Sequence, residues 1–142
     1  PAVLTIATES AEGLGLSDRF TALPGNYHEV ELPPDTYDLA IVGNVTHLET
    51  PAGNRALFAR IHRSLRKHGE LVIFDIFPGQ EAGALAKALY ALGLALRTRQ
   101  GQVYSYEDLQ GFLAATHFVA PELYPIAVPP YTIGMLVAKR GT

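Results

Sequence analysis

Cysteine is absent from the 142 residues, which rules out a disulfide framework and a thiolate zinc site. Its absence suits a reducing compartment, and a cytoplasmic location is the expectation. No apolar run reaches the ~20 residues of a bilayer span. The opening residues Pro1-Ala2-Val3-Leu4 also lack the basic region and long apolar stretch of a signal peptide, so no membrane partner is expected. An initiator methionine is missing as well, and Pro1 is expected not to be the native start. Excess charge is small: 11 Lys and Arg against 14 Asp and Glu leave a net charge of −3. That gives no electrostatic footing for nucleic acid.

What is present suits one soluble domain with a real core: 48% hydrophobic and 18% charged residues, without repeats, low-complexity tracts or a linker. Val3, Leu4, Ala7 and Ala11 recur at helical spacing over 2–12, and Gly13 and Gly15 mark the stop. A short strand is expected at 19–23, stopped by Pro24-Gly25-Asn26, and a second at 37–43. Thr50-Pro51 reads as the N-cap and first turn of a helix. Leu57, Ile61 and Leu65 recur along it, and Gly69 is its expected end. Five of the eleven basic residues sit there (Arg55, Arg60, Arg63, Arg66 and Lys67) and read as a solvated face with cations toward the C-terminus. Residues 71–77 are apolar on both faces, as buried parallel strands are. Helices are expected at about 81–97 and 106–116, the latter with a capping box from Ser105 and Asp108. Two last strands, 118–127 and 132–139, are joined by a link too short for a crossover helix, so they should be antiparallel neighbours. The alternation predicts an α/β layer fold with a mainly parallel sheet and one antiparallel C-terminal strand.

Four segments in this order carry a resemblance. Leu16-Ser17-Asp18-Arg19-Phe20 with Leu23-Pro24-Gly25-Asn26-Tyr27 is similar to a "glaDRf…pGDff" run. The segment from Tyr37 to His47 is similar to "yDlvllsnvLH", and that from His68 to Asp75 to "pGGrlvilD". Tyr104 to Leu109 with Thr116-His117-Phe118 is similar to "ytlaEl…aGF". The ordered set resembles the class I S-adenosylmethionine (SAM) methyltransferases, specifically the small-molecule O-methyltransferases. By that resemblance the chain, 1–142, is the C-terminal part of a Rossmann-like catalytic domain. The family's sheet order is 3-2-1-4-5-7-6; its first two strands and its G-x-G-x-G loop have no counterpart here. Gly13-Leu14-Gly15 follows a helix rather than a strand and reads as a helix stop.

The resemblance implies a function: methyl transfer from SAM to a small, hydroxylated aromatic acceptor, completed by upstream residues, in a homodimer of a biosynthetic pathway. His47 takes the place of the catalytic base. An imidazole, with its ordinary pKa of about 6.5, can take a phenol's proton near neutral pH. Gly25, Asn26 and Tyr27 would lie about the adenine, and Gly43 and Asn44 near the methionine end, although each also suits an ordinary turn. Where the family often has Asp after the histidine, this chain has Leu48 and Glu49, so the group orienting His47 is open. Asp75 reads either as a polar group on the substrate side or as the exposed end of its strand. Tyr104, Tyr106, Tyr124 and Tyr131 are candidates for an aromatic pocket, or for core. His28, His62, His68 and His117 lack metal-ligand spacing and read as surface or cap residues. Two other readings remain: a degenerate domain serving only as a packing or dimerisation unit, and a nicotinamide-binding Rossmann protein. The missing G-x-G-x-x-G and the late hairpin disfavour the second.

A gap where two central strands belong would leave unpaired N–H and C=O groups, at about 1–3 kcal/mol for each one buried. Three arrangements would relieve it. Another segment could supply the strands, 19–23 could pair directly with 37–43, or 37–43 could become an edge that pairs with a second chain. The last is the expectation.

Overall fold

A computed structural model of the chain describes residues 2–77, 84–128 and 131–142. They form two compact units, divided between Glu31 and Leu32. In the first, helix α1 (Ala2–Gly13) ends in a Schellman motif. The Leu16 N–H reaches back to the Ala11 carbonyl and the Gly15 N–H to that of Glu12, with Gly15 at φ 67°. The left-handed turn favours a residue without Cβ, and the Gly13-Leu14-Gly15 run is a helix stop.

The strand expected at 19–23 does not form. Ser17–Arg19 make one turn of 3-10 helix, and Phe20 and Leu23 are exposed. Extended backbone becomes a strand only when a neighbour accepts its hydrogen bonds, and none pairs with it among the described residues. Asn26 organises the turn that follows. Its side-chain oxygen accepts from the His28 N–H, and its carbonyl accepts from the Glu29 and Val30 N–H groups.

The second unit holds β1 (Tyr37–Gly43), α2 (Pro51–Ser64), β2 (Leu65–Ile76), α3 (Ala84–Arg97), α4 (Tyr106–Ala114), β3 (Phe118–Val128) and β4 (Tyr131–Arg140). The four strands lie in the order β1-β2-β4-β3. β1 and β2 are parallel, and β4 is antiparallel to both of its neighbours. Three strands therefore run one way and only β4 opposes them, the mainly parallel pattern expected. Pro121 and Pro125 sit on β3, the edge, where a missing N–H costs least. The first three residues of the helix expected at 81–97 and the link residues 129 and 130 lie outside the described residues.

Helix α2 starts as read, with the Thr50 hydroxyl accepting from the Gly53 N–H at 3.0 Å. It ends five residues before Gly69. Leu65 leaves the helix in extended conformation and pairs with Tyr37, and the ladder resumes at Glu70 opposite Leu39. The intervening bulge brings Gly69 against backbone: a Cβ there would lie 2.9 Å from the Arg66 carbonyl oxygen and 3.2 Å from that of Asp38. The glycine serves this close approach rather than a helix end. Of the five basic residues, Arg55 and Arg63 are exposed on α2, in keeping with a solvated helix face; Arg66 and Lys67, also exposed, lie on β2 instead because the helix ends at Ser64.

One sheet face carries the core. Val42, Leu71, Ile73, Leu136 and Ala138 meet Phe58 and Ile61 of α2 and Leu109 and Leu113 of α4, and the Ser105–Asp108 capping box that starts α4 is complete. On the other face Leu39 and Ile41 remain 48% and 63% exposed. Among the described residues, nothing pairs with the outer side of β1. Strand 19–23 has not moved across to it. Because that edge lies among exposed residues, water can satisfy its backbone groups, and the penalty argued for buried unpaired groups does not arise.

Candidate functional site

The C-terminal end of β1 is where an open α/β sheet presents residues to a ligand. Gly43 ends the strand, and a Cβ there would meet nothing within 4 Å. Asn44 follows at φ 54°, a left-handed conformation that Asn tolerates better than most residues, with its N–H on the Phe74 carbonyl at 2.8 Å. The chain then makes one turn of 3-10 helix, Thr46–Leu48, which carries His47.

Four neighbours hold that turn. The Asn54 side-chain amide of α2 donates to the Thr46 carbonyl at 3.0 Å. The Gln102 N–H donates to the His47 carbonyl at 2.9 Å. The buried Tyr104 hydroxyl donates to the Glu49 carbonyl at 2.7 Å; burial first of all pushes this phenol's pKa up, which keeps it a donor.

The fourth neighbour is Asp75, the residue that orients the imidazole. It is 3% exposed, so it is not the exposed end of a strand. One carboxylate oxygen lies 2.6 Å from His47 Nδ1 and accepts from the Ile76 N–H at 2.8 Å. The other accepts from the Thr46 hydroxyl and the His47 N–H at 3.3 Å. An ionised carboxylate only accepts, so Nδ1 carries the proton and Nε2 of a neutral ring keeps its lone pair. The sequence signal was the single acid in the apolar run 71–77. What it lacked was the parallel register, which pairs Gly43 with Phe74 and so sets Asp75 beside the segment leaving β1.

Asn44, His47 and Leu48 form one side of a cleft of about 350 Å³, with Tyr90, Leu94 and Arg97 of α3 and then Thr98 on the other. The volume suits a small organic molecule. The Tyr90 ring stands edge-on to His47, centroids 5.9 Å apart. Sequence reading missed Tyr90 and Arg97 within an Ala/Leu helix, although their spacing with Leu94, i, i+4 and i+7, marks one face.

Of the residues singled out in the sequence, Asn44 and His47 line this cleft, with Gly43 just before them. Gly25, Asn26 and Tyr27 belong to the first unit, where Tyr27 stacks against His28 at 4.3 Å between centroids. Tyr104 is core and Tyr106 donates to the Pro121 carbonyl. Tyr124 is exposed and bonded to Glu122, and the Tyr131 side chain lies outside the described residues. No group of three potential metal ligands occurs among the described residues, and no helix among them is long and apolar enough to cross a membrane.

No protein-family model matches the chain. Its sequence is 30% identical over 129 residues to the L-tyrosine C(3)-methyltransferase of Streptomyces lavendulae, covering 89% of this chain and 35% of that protein. The crystal structure of an O-methyltransferase family 2 protein from Planctomyces limnophilus in complex with apigenin superposes with a TM-score of 0.78 at 29% identity. It covers 99% of this chain and 40% of its own. Human N-acetylserotonin methyltransferase in complex with SAM superposes with a TM-score of 0.70 at 19% identity, over 91% of this chain and 38% of its own. The chain thus spans well under half the length of each of these three proteins.

Proposed function

We propose, since this chain belongs to the class I SAM-dependent methyltransferases of the small-molecule O-methyltransferase type, that the protein transfers a methyl group to a small phenolic acceptor, with His47 as the general base. The observation that carries the proposal is the His47–Asp75 pair at 2.6 Å on the wall of a ligand-sized cleft.

S-adenosylmethionine, when bound, supplies an electrophilic methyl group on a sulfonium sulfur. The residues present fit part of such a ligand: the space beside Gly43 is open, and Asn44 lines the cleft. The SAM complex of the human relative supports the same cofactor. His47 Nε2 takes the acceptor's hydroxyl proton. Asp75 fixes the tautomer that leaves Nε2 free and stabilises the imidazolium that results, the division of labour of an Asp–His pair in acyl transfer. The cleft holds the phenolate in line, which is where most of the remaining acceleration arises.

Removing a phenol's proton spreads charge over the oxygen and the ortho carbons. One base therefore serves methylation at oxygen or at carbon. The reading is therefore compatible both with a relative named for C(3) of L-tyrosine and with one whose structure holds the phenol apigenin. We further propose a cytoplasmic homodimer.

The test uses the full-length protein. His47→Gln should lower turnover of a phenolic acceptor roughly 10²–10⁴-fold while leaving SAM affinity, read by calorimetry, within about twofold. An unchanged rate removes His47 from the mechanism. Absence of SAM binding in the full-length wild type would favour the non-catalytic packing unit.

A further inference from the structure

The cleft contains one positive charge that methyl transfer to a phenol does not require. Arg97 lies two helical turns beyond Tyr90 on the face of α3 that lines the cleft. Seven residues at 1.5 Å each put its Cα roughly 10 Å along the axis from the ring that faces His47. The side chain folds back toward that ring. Its Nε donates to the Gly93 carbonyl at 3.0 Å, and Nη2 lies only 2.9 Å from where a Gly93 Cβ would be. Gly93 interrupts a helix otherwise built from Ala, Leu, Lys, Tyr and Arg. Glycine inside a helix costs about 1 kcal/mol relative to alanine, and here its missing side chain is the space the guanidinium occupies. A cation at a helix C-terminus is common, and the bond to the Gly93 carbonyl belongs to that role. It uses one of five N–H donors. Arg66 and Arg140, by contrast, have carboxylate partners in Asp38 and Asp35. No carboxylate pairs with Arg97 among the described residues.

We infer that Arg97 is a specificity determinant of the cleft, selecting acceptors that carry a carboxylate at the end remote from the methylated hydroxyl. This rests on reading the cleft as the acceptor site. The planar fork of the guanidinium matches a carboxylate bidentately. The separation along α3 suits a para-hydroxyphenyl ring bearing a short acid chain, with Tyr90 and Leu94 against the ring and the hydroxyl at His47.

The experiment compares 3-(4-hydroxyphenyl)propanoate with its neutral amide in the full-length protein at saturating SAM. Acceptor binding is measured separately by saturation-transfer NMR. The wild type should prefer the acid. Arg97→Gln should lower kcat/KM for the acid about 10–100-fold, through KM, and leave the amide within about twofold. Arg97→Lys should keep part of the preference. Gly93→Ala, which crowds the guanidinium but keeps the charge, should lose a smaller part. Equal use of acid and amide by the wild type, or parallel losses on both in Arg97→Gln, overturns the inference. Arg97-dependent binding of the acid in a protein that transfers no methyl group upholds it while removing the methyl-transfer reading. Methyl transfer indifferent to acceptor charge does the reverse.

Discussion

At the scale of single residues the site depends on a pairing 28 positions apart in sequence, His47 with Asp75. Asp75→Asn keeps the shape and an acceptor oxygen but removes the charge that stabilises an imidazolium. Turnover should drop about 10–100-fold with SAM affinity unchanged. Steady-state kinetics beside calorimetric SAM titration checks this, and loss of SAM binding would show that Asp75 acts through the fold instead. A second histidine reports on stability. His62 stands edge-on to Phe118, ring centroids 5.3 Å apart, and no hydrogen bond reaches its Nε2. Burial holds its pKa below 6.5, helped by the charges of Arg140 and His117 and opposed by hydrogen bonding to the backbone carbonyls of Gly141 and His117. The folded chain therefore binds this proton less readily than the unfolded one. The stability linked to His62 is complete above pH 6.5 and is lost as pH falls below it. Melting temperature should decline between about pH 7 and 5, and His62→Gln should flatten that decline; an identical slope in the variant would assign the acid sensitivity elsewhere.

At the scale of elements, close approach decides which positions tolerate a side chain. Gly134 lies on β4 opposite Asp75 and Pro125, and the Phe77 ring lies on the spot where a Cβ would project. Gly134→Ala must displace that ring from the edge of the core, costing about 1–3 kcal/mol. Chemical denaturation should show a lower midpoint with an unchanged slope. A midpoint equal to the wild type would mean that Phe77 moves aside freely. The segment carrying His47 has the opposite character: α2, β2 and the stretch before α4 each contribute a hydrogen bond to it. Such a segment keeps its geometry even though its own local bonds are those of a single 3-10 turn.

At the scale of the whole molecule, the sheet has one edge at β3, interrupted by Pro121 and Pro125, and another at β1 with exposed Leu39 and Ile41. Proline blunts the first against pairing; among the described residues nothing comparable protects the second. Ile41→Lys should therefore lower the weight-average mass in sedimentation equilibrium if β1 mediates self-association. A mass unaffected by the charge would place the dimer contact elsewhere.

Local chemistry alone determined much of this protein. The caps Thr50 and Ser105 act within a single turn, so they are visible as residue types. The Gly15 stop was legible for the same reason, the closing hairpin from its short link, and the parallel β1 and β2 from the alternation of strands and helices, as was the position of His47 at a strand end. Three things needed the tertiary structure. Residues 19–23 have strand-like composition, but a strand exists only with a partner, and partners are not encoded locally. Helix α2 ends at Ser64 because Leu65 finds Tyr37 across the sheet, a competition that apolar spacing cannot reveal. Asp75, Tyr90 and Arg97 reach the cleft only because register sets the end of β2 beside His47 and packing turns one face of α3 toward it; those are long-range contacts, and no window of sequence contains both partners.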